Sequence, residues 1–109
     1  MFGDFGKMMK MAMEMKRKMP ELQAKLESGE HTAEAGGGVV SATVNGKFKL
    51  LDVKIDPSLL SGRQADAAML EDLIKAAVGA AQKKAAEAAA EAMAELTGGM
   101  PLPGLEGML

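Results

Sequence analysis

Five cations crowd one stretch near the start of the chain: Lys7, Lys10, Lys16, Arg17 and Lys18. Between residues 7 and 19 only Glu14 opposes them, a local balance of +4. Ammonium and guanidinium groups at this density neutralise an anionic partner and release its counterions. The cluster stands out in a 109-residue chain whose overall net charge is −2. Residues 64–109 hold Lys75, Lys83 and Lys84 against seven acids (Asp66, Glu71, Asp72, Glu87, Glu91, Glu95 and Glu106). Such asymmetry points to an anionic partner for the basic end. Lys83 and Lys84 are weaker candidates for the same role, since Glu87 at i+4 and i+3 can offset them.

Catalytic chemistry is thinly provided. The chain has one His (His31) and no Cys, Tyr or Trp. A thiolate zinc site and a disulfide framework are therefore excluded, and a nucleophile paired with a histidine base has little to work with. Gly46-Lys47 is a near miss for a phosphate loop: Ser41 stands where its first Gly belongs, and Phe48 follows the Lys. Met8, Met9, Met11, Met13 and Met15 are soft thioethers of the kind that bind Cu(I). On a helix, however, i and i+2 side chains diverge, and methionine at these positions is better read as packing material. Glu87, Glu91 and Glu95 repeat every four residues as a charged solvent stripe. The expectation is no enzyme, no cofactor, no metal and no small-molecule substrate.

No uncharged run approaches the ~20 residues of a membrane span, and no apolar segment precedes a small-residue cleavage site. A membrane partner is not expected, and the expected compartment is the cytoplasm. Composition, at 48% hydrophobic and 26% charged, is that of one folded domain. That domain is expected over residues 1–97, with a flexible tail over 98–109.

The elements follow from periodicity. Phe5, Met8, Ala12, Met15, Met19, Leu22 and Leu26 alternate in steps of three and four, a heptad seam on a helix over 4–28. Such a seam wants a partner helix. Pro20 removes a hydrogen bond to the Lys16 carbonyl, so a kink or two stacked pieces are expected near 16–20. Residues 30–56 then switch to period two. Asn45-Gly46 suits a two-residue type I′ hairpin, which would pair Val44 with Lys47, Ala42 with Lys49 and Val40 with Leu51. One face would collect Val40, Ala42, Val44, Leu51, Val53 and Ile55; the other would carry Phe48, Leu50, Asp52 and Lys54. Gly36-Gly37-Gly38 separates a further strand at about 30–36.

Asp56-Pro57 ends the third strand. Asp66 can cap a helix running to about Leu96, in a stretch where fourteen of residues 65–96 are Ala. Its apolar face is Leu70, Leu73, Ile74, Ala77, Val78 and Ala81, and Gly98-Gly99 closes it. Gly79 is either a weak point or a close-packing site. The fold class is α+β, a three-stranded antiparallel meander between two long helices.

These residues resemble a known family. Met1-Phe2-Gly3 opens a Met- and Lys-rich helix, and the hairpin reads Gly36-Gly37-Gly38-Val39-Val40 … Val44-Asn45-Gly46. Ile55-Asp56-Pro57-Ser58-Leu59-Leu60 and Met69-Leu70-Glu71-Asp72-Leu73-Ile74 follow, then Ala76-Ala77 and a Gly-Met-x-Leu-Pro tail at residues 99–103. Their order and spacing look like the YbaB/EbfC family of bacterial nucleoid-associated proteins, over essentially the whole chain. The resemblance implies an α-β-β-β-α protomer, a tweezer-like homodimer and binding to double-stranded DNA in the nucleoid with limited sequence preference. Gly79-Ala80 departs from the family's usual Asn-Asp, and Pro20 is unusual in its first helix.

The expected DNA-binding residues are Lys7, Lys10, Lys16, Arg17, Lys18, Lys83 and Lys84. Contact would be mainly with backbone phosphates, bending or organising the duplex and so influencing gene expression. Without Tyr or Trp, single-strand stacking is disfavoured. The alternative is a homodimeric scaffold that captures a protein through its Met-rich helix.

Overall fold

The computed structural model describes residues 2–61, 66–96 and 98. The order is α1 (Phe2–Ser28), β1 (Glu30–Ala35), β2 (Val40–Asn45), β3 (Leu50–Ile55), a 3-10 turn (Pro57–Leu60) and α2 (Ala67–Leu96). The three strands form an antiparallel meander in the order β1-β2-β3. The tail expected over 98–109 lies, beyond Gly98, outside the described residues.

The core is a thin layer between α2 and the sheet. Ala77, Ala81 and Ala85, four residues apart, are fully buried and meet Val40, Ala42, Val44 and Ala33 in two adjoining clusters. Larger residues thicken the N-terminal half, where Leu70, Leu73, Ile74 and Val78 pack with Val39, Val53, Ile55 and Leu59. Asp66 starts α2 as expected, its Oδ1 accepting from the Ala68 and Met69 N–H groups at 3.0 and 3.4 Å. Asp56 likewise caps the 3-10 turn by accepting from Ser58 N–H at 2.9 Å, which holds its carboxyl below the ordinary range. Gly36, Gly37 and Gly38 all take positive φ, so this turn needs glycine.

The β2–β3 hairpin departs from the pairing that periodicity predicts. Val40 pairs with Ile55, Ala42 with Val53, and Val44 with Leu50, with a bulge at Thr43/Val44. The expected pairs with Leu51, Lys49 and Lys47 are not formed. Neither Asn45 nor Gly46 takes the positive φ that a type I′ turn demands; Phe48 does, at 68°. The loop is three residues long, closed by Phe48 N–H to the Asn45 carbonyl (3.0 Å) and Asn45 N–H to the Lys49 carbonyl (2.9 Å). The reason is the Asn45 side chain. Its buried Oδ1 accepts from both Lys47 and Lys49 N–H, at 2.9 and 3.0 Å, and shapes the loop around itself.

Gly46 serves a different purpose. Its N–H donates to the Leu26 carbonyl at 2.7 Å, seating the last turn of α1 on the hairpin. A Cβ here would lie 2.6 Å from that oxygen and 2.9 Å from the Leu26 Cα. The helix itself is continuous through Pro20, not two stacked pieces. Pro20 borders an open depression with Met15, Lys16, Met19 and Gln23.

Two glycine substitutions should move stability in opposite directions. Gly46→Ala forces a methyl into backbone that has no room to give, and should cost about 2 kcal/mol or more in denaturant unfolding. Gly79 is exposed, and a methyl added there would meet nothing within 4 Å, so the close-packing alternative fails within the protomer. Gly79→Ala should raise stability by up to about 1 kcal/mol, a melting-temperature gain of several degrees.

Candidate nucleic-acid interface

The heptad seam of α1 is covered only toward its C-terminal half. On the seam Leu22 is buried and Met15, Met19 and Leu26 are half-buried, whereas Ala12 is exposed and Phe5 and Met8 are 63% and 66% exposed; beside it Met11 is half-buried and Met13 is 68% exposed. The first part of the helix thus projects from the body as an arm. The whole protomer is drawn out to match, 72 × 22 × 16 Å with a radius of gyration of 19.6 Å. A compact chain of this length would have a radius near ~13 Å.

The five α1 cations ride on this helix. Lys7, Lys10, Lys16 and Arg17 are exposed and Lys18 is half-buried. From Lys7 to Lys18 they cover ~16 Å of helix axis, about five base-pair steps of duplex. They do not make one patch. At about 100° per residue, Lys7 and Lys18 share a lane, Lys10 and Arg17 share the next, and Glu14 lies between. Lys16 falls on the far side.

Lys18 lines an open groove of about 360 Å³ between α1 and the end of α2, with Met11, Glu14, Met15, Glu95 and Leu96. Lys25 extends the lane of Lys7 and Lys18 and borders the adjoining groove with Leu26, His31, Glu91 and Glu95. It falls outside the dense cluster that the charge count selects, and its seven-residue step from Lys18 is the signal that adds it. Glu91 and Glu95 are exposed, yet they also wall these grooves opposite Lys18 and Lys25.

Lys83 and Lys84 lie on α2, away from this helix in sequence. Lys84 Nζ donates to the Thr32 carbonyl at 2.8 Å, tying α2 to the edge strand β1. Lys83 is exposed. Neither forms an ion pair with Glu87; the one ion pair among the described residues joins Lys47 Nζ to Glu27 Oε1 at 2.8 Å. That pair reinforces the Gly46 junction, and it removes Lys47 from the stock of free sheet cations. Lys47, by its hydrogen bond first and its charge second, holds the Glu27 carboxyl below its ordinary range. Among the described residues no group of three or more His, Cys, Asp or Glu side chains could hold a metal ion. No described helix is long and apolar enough to cross a membrane.

A two-helix frame around a small meander, with cations and bare apolar side chains on one projecting helix, is the architecture of a binding protein. The chain belongs to the YbaB/EbfC DNA-binding family, which matches residues 1–100. It is 41% identical over 103 residues to a nucleoid-associated protein of Clostridium acetobutylicum, covering 94% of this chain and 90% of that one. It is 43% identical over 102 residues to a nucleoid-associated protein of Afipia carboxidovorans, covering 94% and 95%. Among solved structures it is similar to an uncharacterized protein from Helicobacter pylori, with a TM-score of 0.57 and 33% identity. That match covers 67% of this chain and 82% of the other.

The Glu27–Lys47 pair predicts a pH signature. A carboxyl with a lowered folded pKa stabilises above the ordinary Glu value of about 4.3, and that stability is lost as pH falls through the lowered value. Glu27→Gln should therefore be less stable than the parent at pH 7. The gap in denaturant midpoint should narrow as pH falls below the ordinary Glu range and close once Glu27 is protonated in the folded state.

Proposed function

We propose that this protein is a nucleoid-associated homodimer that binds double-stranded DNA mainly through backbone phosphates. It has limited sequence specificity, and it bends or organises the duplex and thereby influences gene expression in the bacterial cytoplasm. The observation that carries this reading is the set of exposed cations on α1, spread over two neighbouring lanes and the far side of the helix. Lys7, Lys10, Lys16 and Arg17 have no carboxylate partner among the described residues. Desolvating them against phosphate breaks no existing ion pair, and each contact releases counterions.

A homodimer is supported by the uncovered apolar residues of the same helix, which a lone protomer would leave in water. Two arms double the cations available to one duplex. Lys18 stands beside Glu95 and contributes less than its neighbours. Lys84 is spent on Thr32, and Lys83 is at most peripheral.

Replacing Lys16, Arg17 and Lys18 together by Ala tests the reading. Affinity for random and defined duplexes should fall alike, by at least about tenfold at moderate salt. Three contacts in each of two subunits would lower the log–log salt slope by as much as about 5. Circular dichroism should be unchanged, since these side chains lie off the buried seam. Unchanged affinity and slope would move the contact to Lys49 and Lys54 on the sheet. Failure of the parent protein to bind duplex even at low salt would overturn the reading. The bare Met8, Met9 and Met13 row would then favour capture of a protein partner.

A further inference from the structure

Phosphate contacts leave the bare methionines of α1 unexplained. Met9 and Met13 are 52% and 68% exposed, and neither lies on the heptad seam. At about 100° per residue they sit ~20° and ~60° round the helix from Lys16, with Arg17 at ~100° and Lys10 at ~120°. Three cations from different lanes thus bracket one arc, with the two thioethers inside it. Met9, Lys10, Met13, Lys16 and Arg17 are all exposed, and Gly6 and Pro20 complete the arc without adding charge. Glu14, the only acid between Lys7 and Met19, falls ~40° beyond Lys10. The arc points nearly away from α2, since Met11, Lys18, Leu22 and Lys25, which line the grooves against α2, lie on the opposite side.

We infer that Met9 and Met13 are wedges that enter between stacked base pairs when α1 docks on double-stranded DNA, kinking it at flexible steps. This rests on the DNA-binding reading above. Lys16 on one flank, and Lys10 and Arg17 on the other, reach the phosphate backbones on either side of a groove, so the thioethers between them face its floor. An acid-free apolar ridge edged by cations complements a polyanion whose interior is a stack of apolar base faces. Apolar side chains, methionine among them, partly unstack base steps from the minor groove and bend the duplex toward the major groove. Methionine suits this role because it is unbranched and polarizable. Met9 and Met13 stand ~6 Å apart along the helix axis, close to the ~7 Å of two base steps. Unstacking is easiest at pyrimidine–purine steps such as TA and hardest in stiff A-tracts. The substrate class is therefore duplex containing a deformable step, selected without hydrogen bonds to base edges. Phe5 and Met8 stay on the seam and remain free for the homodimer contact.

A short duplex with 2-aminopurine at a central TA step and a pair of dyes at its ends separates wedging from phosphate contact. When the parent protein binds, 2-aminopurine emission should rise at least about twofold as its neighbours unstack, and energy transfer should show the ends drawing closer. Affinity should favour this duplex about threefold or more over an A-tract of the same length. Met9→Gln with Met13→Gln keeps side-chain length and helix propensity while making both tips polar. That variant should bind with the parent's log–log salt slope, since no cation is touched. It should give no emission rise, no bend and no preference for the TA step. Met9→Leu with Met13→Leu should restore all three.

A glutamine variant that still raises emission and bends the duplex would overturn the wedge. So would a parent that binds duplex with neither signal; phosphate binding would survive both results. A parent that binds no duplex even at low salt would overturn the DNA-binding reading itself. A glutamine variant that sediments as a monomer where the parent is dimeric would assign the ridge to a second copy and overturn the wedge. One that keeps the duplex signals but loses attachment to phosphatidylglycerol vesicles would assign it to a lipid surface, with the same consequence.

Discussion

The hydrogen bond from Gly46 N–H to the Leu26 carbonyl, 2.7 Å long, is the joint on which this molecule hangs. α1 touches the body over only part of its length, and it carries five of the seven cations proposed to contact DNA. Without a fixed attachment it would be a helix on a tether. The hairpin loop supplies the attachment by presenting a residue without a Cβ to the last turn of α1. Asn45 holds that loop in shape with its buried carboxamide, and Lys47 adds its ammonium to Glu27 from the same loop. Three consecutive residues thus fix where the arm leaves the sheet. The direction of every α1 cation follows from that.

Much of the architecture was legible because local and tertiary demands agreed. The change of period after Ser28, the run of three glycines, Asp56-Pro57 and Asp66 before an Ala-rich stretch each have one good local solution, and each element formed there. The hairpin failed because its signal had two uses. Asn45-Gly46 is a strong type I′ pair, but Gly46 is needed for proximity to Leu26, and Asn45 for bonding Lys47 and Lys49. The left-handed residue is instead Phe48, which no propensity would select. Pairing then shifted, and Leu51 moved from opposite Val40 to a bulge. Long-range contacts of this kind leave no periodic trace.

The candidate site was legible as a charge count and less so as a surface. The count finds the five α1 cations but not that Lys16 turns away from the others, or that Lys18 lines a groove together with Glu95. Lys84 looked like its neighbour Lys83; only the fold distinguishes a lysine that binds a strand carbonyl from one that faces water. The placement of Glu91 and Glu95 is informative for the same reason. These carboxylates line the same grooves as Lys18 and Lys25, an acidic counterweight that a charge count along the chain does not place.

The Ala77, Ala81, Ala85 ladder has a thermal consequence. Alanine surrenders no rotamer freedom on burial, so α2 seats on the sheet at little entropic cost. It also removes little apolar area from water, and the heat-capacity change of unfolding scales with that area. The protomer's value per residue should therefore lie below the usual ~12–15 cal/mol/K. Its stability curve is correspondingly shallow: the strength with which α2 grips the sheet changes little as the surroundings warm or cool.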